Sequence, residues 1–210
     1  MRPGLLIPAA LLCALPASGD VAALSDAQID ALTTIDTMPT RAQIDFTFGA
    51  TNGLAALVGI AKDGGQRFDL QIRAIRTLPQ YCTAPGCAGT GHDALVAIIN
   101  IYESVLPGPL SPRDMVRLRA AVEALGATGS GLASDVHLLA VAPLLRHPNR
   151  DVQVATVHAL RDLCSHGQCD RQTCTEDAAA VRALRSSTGD TQLDNAINIA
   201  LQDLAQCDQP

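Results

Sequence analysis

Beyond residue 25, apolar residues return at steps of three and four along most of the chain, and no stretch alternates apolar with polar over a strand's length. That period puts one apolar stripe on each of a series of helices, so the pattern predicts an all-α protein. Helices are predicted over 26–34, 41–48, 53–61, 67–78, 93–104, 112–125, 135–146, 150–163, 174–186 and 191–205. The breaks between them carry their own chemistry. Asp63-Gly64-Gly65, Pro79, Pro107-Gly108-Pro109, Gly126 to Gly131, Pro148-Asn149 and Ser187 to Gly189 are all helix stops. Ser111-Pro112-Arg113-Asp114 is a start, with a capping hydroxyl, a proline suited to the first turn and an acid at the positive end. Thr173 and Glu176 make a capping-box pattern that opens another helix. Pro143 has no amide hydrogen to give the carbonyl of Leu139, so a kink or short break is predicted there.

Three of these helices are versions of one another. Ile72-Arg-Ala-Ile-Arg-Thr-Leu78, Arg119-Ala-Ala-Val-Glu-Ala-Leu125 and Val154-Ala-Thr-Val-His-Ala-Leu160 align without gaps, and Asn195-Ala-Ile-Asn-Ile-Ala-Leu201 is a weaker fourth copy. Their final leucines are 47, 35 and 41 residues apart, close to the period of two-helix repeats. Each copy follows a more apolar helix. The order is therefore an alternation of B helices, the more apolar ones, with A helices, the copies. The stretch Leu144 to Leu160, with its His147-Pro148-Asn149-Arg150-Asp151 turn, resembles the hinge and first helix of a HEAT repeat, and Phe68 to Leu78 is similar. The resemblance covers most of residues 50–205. It implies a right-handed, two-layer α-solenoid of about four helix pairs that presents a binding surface. Gln153 stands where the family usually has an arginine. Some HEAT-like proteins act as lyases or lyase subunits on tetrapyrroles, so fold alone does not decide between binding and catalysis.

The first residues change the picture of where such a protein works. Arg2, the apolar run Leu5 to Leu15 and the small residues Ala17-Ser18-Gly19 read as a secretory signal, with cleavage expected after Gly19. The run is about half the ~20 residues needed to span a bilayer, so no membrane insertion is expected after cleavage. Cys13 as a lipid-bearing cysteine is the lesser alternative, because Leu12 is bulky where a small residue belongs. The expected organisation is a signal at 1–19, capping helices at 20–50 and the repeat domain at 51–210, exported to the periplasm or the exterior.

The formal net charge is −6, or −7 without Arg2, and the basic residues are scattered. Such a chain repels phosphate backbones, and with no Trp and few aromatic residues it has no stacking platform, so nucleic acid is an unsuitable partner. Cys82, Cys87, Cys164, Cys169, Cys174 and Cys207 remain after signal removal, an even number that three disulfides use most simply. Cys82 is expected to pair with Cys87, and Cys207 with one of the trio 164, 169 and 174, weakly Cys164. A metal site from that trio with His166 is disfavoured by the wide Cys-x4-Cys spacing, so no metal or cofactor is expected. The histidines show no helical zinc pattern, and His158 falls on the exposed face of its A helix by register. Thr128-Gly129-Ser130-Gly131 follows a helix rather than a strand. It therefore reads as a flexible connection rather than a nucleophile turn.

No catalytic constellation stands out. The most informative surface is a stripe on the B helices, read from each polar start at steps of four, seven and eleven: Asn52, Ala56, Gly59, Asp63; Asp93, Ala97, Asn100, Ser104; Asp135, Leu139, Ala142, Arg146. Its candidate binding residues are Ala56, Gly59, Asp93, Ala97, Asn100, Leu139 and Ala142. Read as function, the stripe is a shallow groove for a protein or peptide partner. Read as packing, it is a close helix contact with the N-terminal helices. The expected function is thus an exported binding or scaffold module. The alternatives are a HEAT-like lyase or accessory subunit and a self-associating envelope protein.

Overall fold

The computed structural model describes residues 23–33, 37–82, 89–104, 109–140, 142–164, 169–185 and 189–205. Among these the chain forms eleven α-helices and no strand: α1 (Asp26–Thr33), α2 (Arg41–Phe48), α3 (Gly53–Lys62), α4 (Phe68–Thr77), α5 (Thr90–Glu103), α6 (Pro112–Ala127), α7 (Ala133–Ala140), α8 (Ala142–Leu145), α9 (Arg150–Cys164), α10 (Arg171–Leu184) and α11 (Thr191–Leu204). A 3₁₀ turn, Leu78–Tyr81, continues α4 up to and past Pro79.

The helix starts follow from local hydrogen bonding. Ser111 accepts the amide of Asp114 ahead of Pro112, and Thr40 forms a reciprocal capping box with Gln43. The start of α10 corrects the sequence reading. Asp170, not Thr173, caps it: the Asp170 carboxylate accepts the Thr173 amide, and the helix begins at Arg171. Helix α5 likewise begins at Thr90, so His92 and Asp93 both lie inside its first turn. The segment around Pro143 is divided into α7 and α8, with the proline in the first turn of the second piece, where its missing amide hydrogen costs nothing.

The core is where the three clear copies coincide. Ala74, Ile75, Thr77 and Leu78 are buried, as are Ala121, Val122, Ala124 and Leu125, and Thr156, Val157, Ala159 and Leu160. The fourth copy departs from that register: Ala196, Ile197 and Ala200 are buried but Leu201 is only half-buried. These helices form one row, with α1 against α4, α4 against α6, α6 against α9 and α9 against α11. The more apolar helices pack on them: α3 on α4, α5 on α6, α7 on α9 and α10 on α11. Helices α6 and α9 meet closely at Gly126, where an added Cβ would stand 2.5 Å from the Cα of Ala159.

Side chains also hold the connections. Gln71, fully buried, donates from Nε2 to the carbonyls of Asp63 and Gln66 at 2.8 Å and so fixes the Asp-Gly-Gly turn after α3. Arg117 reaches from α6 to the carbonyl of Ala61 at 3.0 Å, satisfying a free acceptor at the end of α3. Tyr81 donates to Asp45 at 2.7 Å, and Arg41 lies over the Tyr81 ring, tying α2 to the 3₁₀ turn. Burial and the Asp45 carboxylate push the Tyr81 phenol well up.

A disulfide joins Cys164, the last residue of α9, to Cys169, with the two Cα atoms 5.0 Å apart. This overturns the expected bond between Cys164 and Cys207, and with it a pairing of Cys169 with Cys174. Cys164 and Cys169 face each other across one short connection, so the local partner wins. Cys82 and Cys174 are disulfide-bonded as well. Cys87, Cys207 and His166 lie outside the described residues, as do Cys13 and the expected signal segment. Among the described residues, no single helix is long and apolar enough to cross a membrane.

Candidate functional site

Helix α5 packs against α3 and α6, and α7 packs against α9 and α10, which leaves a cleft between α5 and α7. Its volume is about 400 Å³, and it is lined by His92, Val96 and Glu103 from α5 and Ser134, Asp135, His137 and Leu138 from α7. Steps of four and seven put the three α5 residues on one helical face. Val96 and Leu138 make the walls apolar, and four titratable side chains are set into them.

One end is built around a buried charge pair. His92 and Asp135 are 8% and 2% exposed, and the His92 Nε2 lies 2.9 Å from Asp135 Oδ2. His92 Nδ1 lies 3.2 Å from the exposed carboxylate of Asp93. With a carboxylate facing each nitrogen, the arrangement favours the charged ring, which donates from both. Burial alone lowers the His92 pKa, but the hydrogen bonds and charges of Asp135 and Asp93 outweigh it, and the net direction is up. Asp135 gains a second donor, Ser130 Oγ at 2.5 Å.

The Thr128 to Gly131 turn exists to deliver that hydroxyl. Gly129 and Gly131 adopt φ of 56° and 62°, the left-handed region that glycine tolerates. Thr128 donates to the carbonyl of Leu125 at 2.6 Å and accepts the amide of Ser130 at 3.3 Å. The segment is therefore a hydrogen-bonded turn with Thr128 and Ser130 buried, not the open connection that its glycines suggest.

Glu103 stands at the far end of α5. Its Oε1 is sealed from solvent and has no hydrogen-bond partner, and burial pushes its carboxyl pKa up. His137 is exposed on the α7 side. Both His92 nitrogens are engaged by carboxylates, and Ser130 donates to Asp135 rather than to the histidine, so the imidazole does not face the Ser130 hydroxyl. Among the described residues, no three His, Cys, Asp or Glu side chains are placed to share a metal ion.

The chain was compared with protein-family models, with curated proteins and with solved structures. Nothing matches in any of the three.

The cleft shares Asp135 with the stripe read from the sequence and otherwise lies one residue away from it on α5 and α7. On α5, Asp93 and Asn100 are exposed and Ala97 is half-buried, while the cleft takes His92, Val96 and Glu103. On α7, Leu139 is fully buried and leaves the candidate set; its neighbour Leu138 lines the cleft. The cause is the starting residue. On α7 the stripe starts from Asp135, which is buried because His92 and Ser130 pair it, so its steps reach the buried Leu139; on α5 it starts from Asp93, which is exposed, and its steps pass beside the cleft. Ala56 and Gly59 are half-buried on α3 and do not line this cleft, and the side chain of Ala142 lies outside the described residues. Residues missed by sequence reasoning are His92, Ser130, His137 and Glu103. A usable signal was present for the first: His92 and Asp135 are 43 residues apart, near the repeat period.

A second depression, about 330 Å³, lies between α1 and α2 and is lined by Ala31, Thr37, Pro39, Ala42, Gln43, Phe46 and Thr47. It has no titratable lining group, and Phe46 is 92% exposed there.

Proposed function

We propose that this chain is an exported binding module, a right-handed two-layer α-solenoid of HEAT-like helix pairs that holds a protein or peptide partner in the cleft between α5 and α7. The observation that carries the reading is the cleft itself. It interrupts the row of B helices, its walls are Val96 and Leu138, and a buried His92–Asp135 pair pins its two sides together at one end. A site of about 400 Å³ that is mostly apolar, with a few fixed polar groups, has the make-up of a ligand pocket. A preformed pin lowers the ordering cost of binding, because the walls are already in place.

The solenoid reading is supported by the coincident burial of three sequence copies and by the row of A helices packed in succession. Export is supported by the signal-like first residues and by a disulfide that joins two loop-proximal cysteines.

The test is a pull-down from the exported fraction of the native cell with the wild-type protein and with Leu138→Arg, which puts a charge into the apolar wall. The wild type should retain a partner that the variant loses. Recovery of the same partners by both proteins would defeat the assignment of the cleft.

A further inference from the structure

Glu103 is a carboxylic acid in an arrangement that wants a donor. One oxygen is shut away from water without a hydrogen bond, at the end of a cleft whose two buried polar groups, His92 and Asp135, already hold each other. His92 is matched by Asp135 and Asp93, and Asp135 by Ser130. Glu103 is half-buried, with Oε1 sealed and unbonded while its other oxygen is not sealed, so a donor that reaches this carboxyl from the cleft would offset part of the cost of burying it. Charge complementarity gives the sign of the missing group. A carboxyl in an acidic protein, with the exposed Asp93 at the other end of the same helix, favours a cation.

The dimensions set the rest. Val96 and Leu138 offer an aliphatic wall between the two polar ends, and His92 and Glu103 are eleven residues apart on α5, about 16 Å along the axis. An extended peptide covers that length in about five residues. Building on the proposed binding role, we infer that the cleft takes an extended peptide segment that carries an aliphatic side chain for the Val96–Leu138 wall and, a few residues away, an arginine or lysine for Glu103.

Panning a phage-displayed random heptapeptide library on the purified protein tests this. Three parallel selections use the wild type, Glu103→Gln and Leu138→Arg, with Val96→Arg as a second blocked variant and far-UV melts to confirm that each is folded. The wild type should enrich peptides that place Arg or Lys near Leu, Ile or Val. A synthetic peptide from that pool should bind Glu103→Gln at least tenfold more weakly, and should not bind either blocked variant. Peptides that need an open cleft but show no basic preference, or that bind Glu103→Gln as well as the wild type, would overturn the inference and leave the binding cleft standing. Peptides that bind the blocked variants undiminished, or no enrichment on the wild type, would overturn both.

Discussion

Arg76 Nη2 donates to Glu123 Oε2 at 3.0 Å across 47 residues, the same interval that separates Leu78 from Leu125. Equivalent positions of two sequence copies therefore lie side by side on α4 and α6. The contact continues as a ladder: Arg119 holds Glu123 at 2.6 Å and reaches Asp151 on α9 at 3.8 Å, and Arg150 pairs with Asp190, the cap of α11, at 3.4 Å. Each pair is partly exposed, so solvent and salt screen it. A double-mutant cycle on Arg76 and Glu123 should give a coupling of about 0.2–1 kcal/mol that shrinks in high salt. A coupling near zero at low salt would remove the ladder as a stabilising feature.

Gly126 should not tolerate a side chain. Its Cβ would meet Ala159 at both Cα and Cβ, 2.5 and 2.8 Å away, and backbone of a packed helix has little room to shift. Gly126→Ala should cost about 1–3 kcal/mol through overpacking, despite the better helix propensity of alanine. Chemical denaturation of the variant measures this. An unchanged or raised midpoint would show that α6 and α9 can separate at this point.

Asp177 is fully buried on α10 with neither oxygen hydrogen-bonded, and burial raises its carboxyl pKa to about 7. In the unfolded chain the same group titrates near 3.9. The folded state thus keeps its proton longer, so stability falls as pH rises from about 4, and the full penalty is present above about 7. The shift corresponds to roughly 4 kcal/mol. Asp177→Asn should flatten the fall between pH 4 and 7, as read by thermal melts across that range. A parallel pair of curves would contradict it.

His92 bends stability with pH in the same direction for a different reason. Its folded pKa is raised, so its pairing with Asp135 contributes fully below the unfolded value of about 6.5 and is lost as pH climbs through the folded one. Asp135→Asn should weaken this dependence, leaving only the share that Asp93 carries, and destabilise the protein by about 3–5 kcal/mol at pH 6, because the imidazolium loses its buried counter-charge. Melts of Asp135→Asn beside Asp177→Asn separate the two contributions. A pH profile unchanged by Asp135→Asn would show that the pair is not what titrates.

Much of the fold was legible because helical period, prolines, glycines and caps all speak locally. The copies ending at Leu78, Leu125 and Leu160 carried the core with them, since equivalent residues bury equivalent faces. Of the cleft, the sequence stripe holds Asp135, and its α5 residues stand one position away from the lining. Rotating a helix by a single position turns its face by 100°, and on α7 the starting residue, Asp135, reads as solvated because its partners His92 and Ser130 come from α5 and the turn before α7. Such a pair is formed by packing, not by local sequence. Glu103 was hidden for the same reason: an acid at a helix end reads as surface, and only the fold shows that one of its oxygens is shut in.

The most direct test of the binding role proposed for the cleft is site-specific photo-crosslinking. A photoreactive amino acid at Leu138, on the cleft wall, and another at Val116, which is 42% exposed on α6, are each carried by protein expressed in the native cell. On illumination, the probe at residue 138 should form one discrete crosslinked product whose attached peptide is found by mass spectrometry, and the probe at 116 should not form it. Identical products from both positions, or a product from 116 and none from 138, would contradict the cleft as the place where this protein meets its partner.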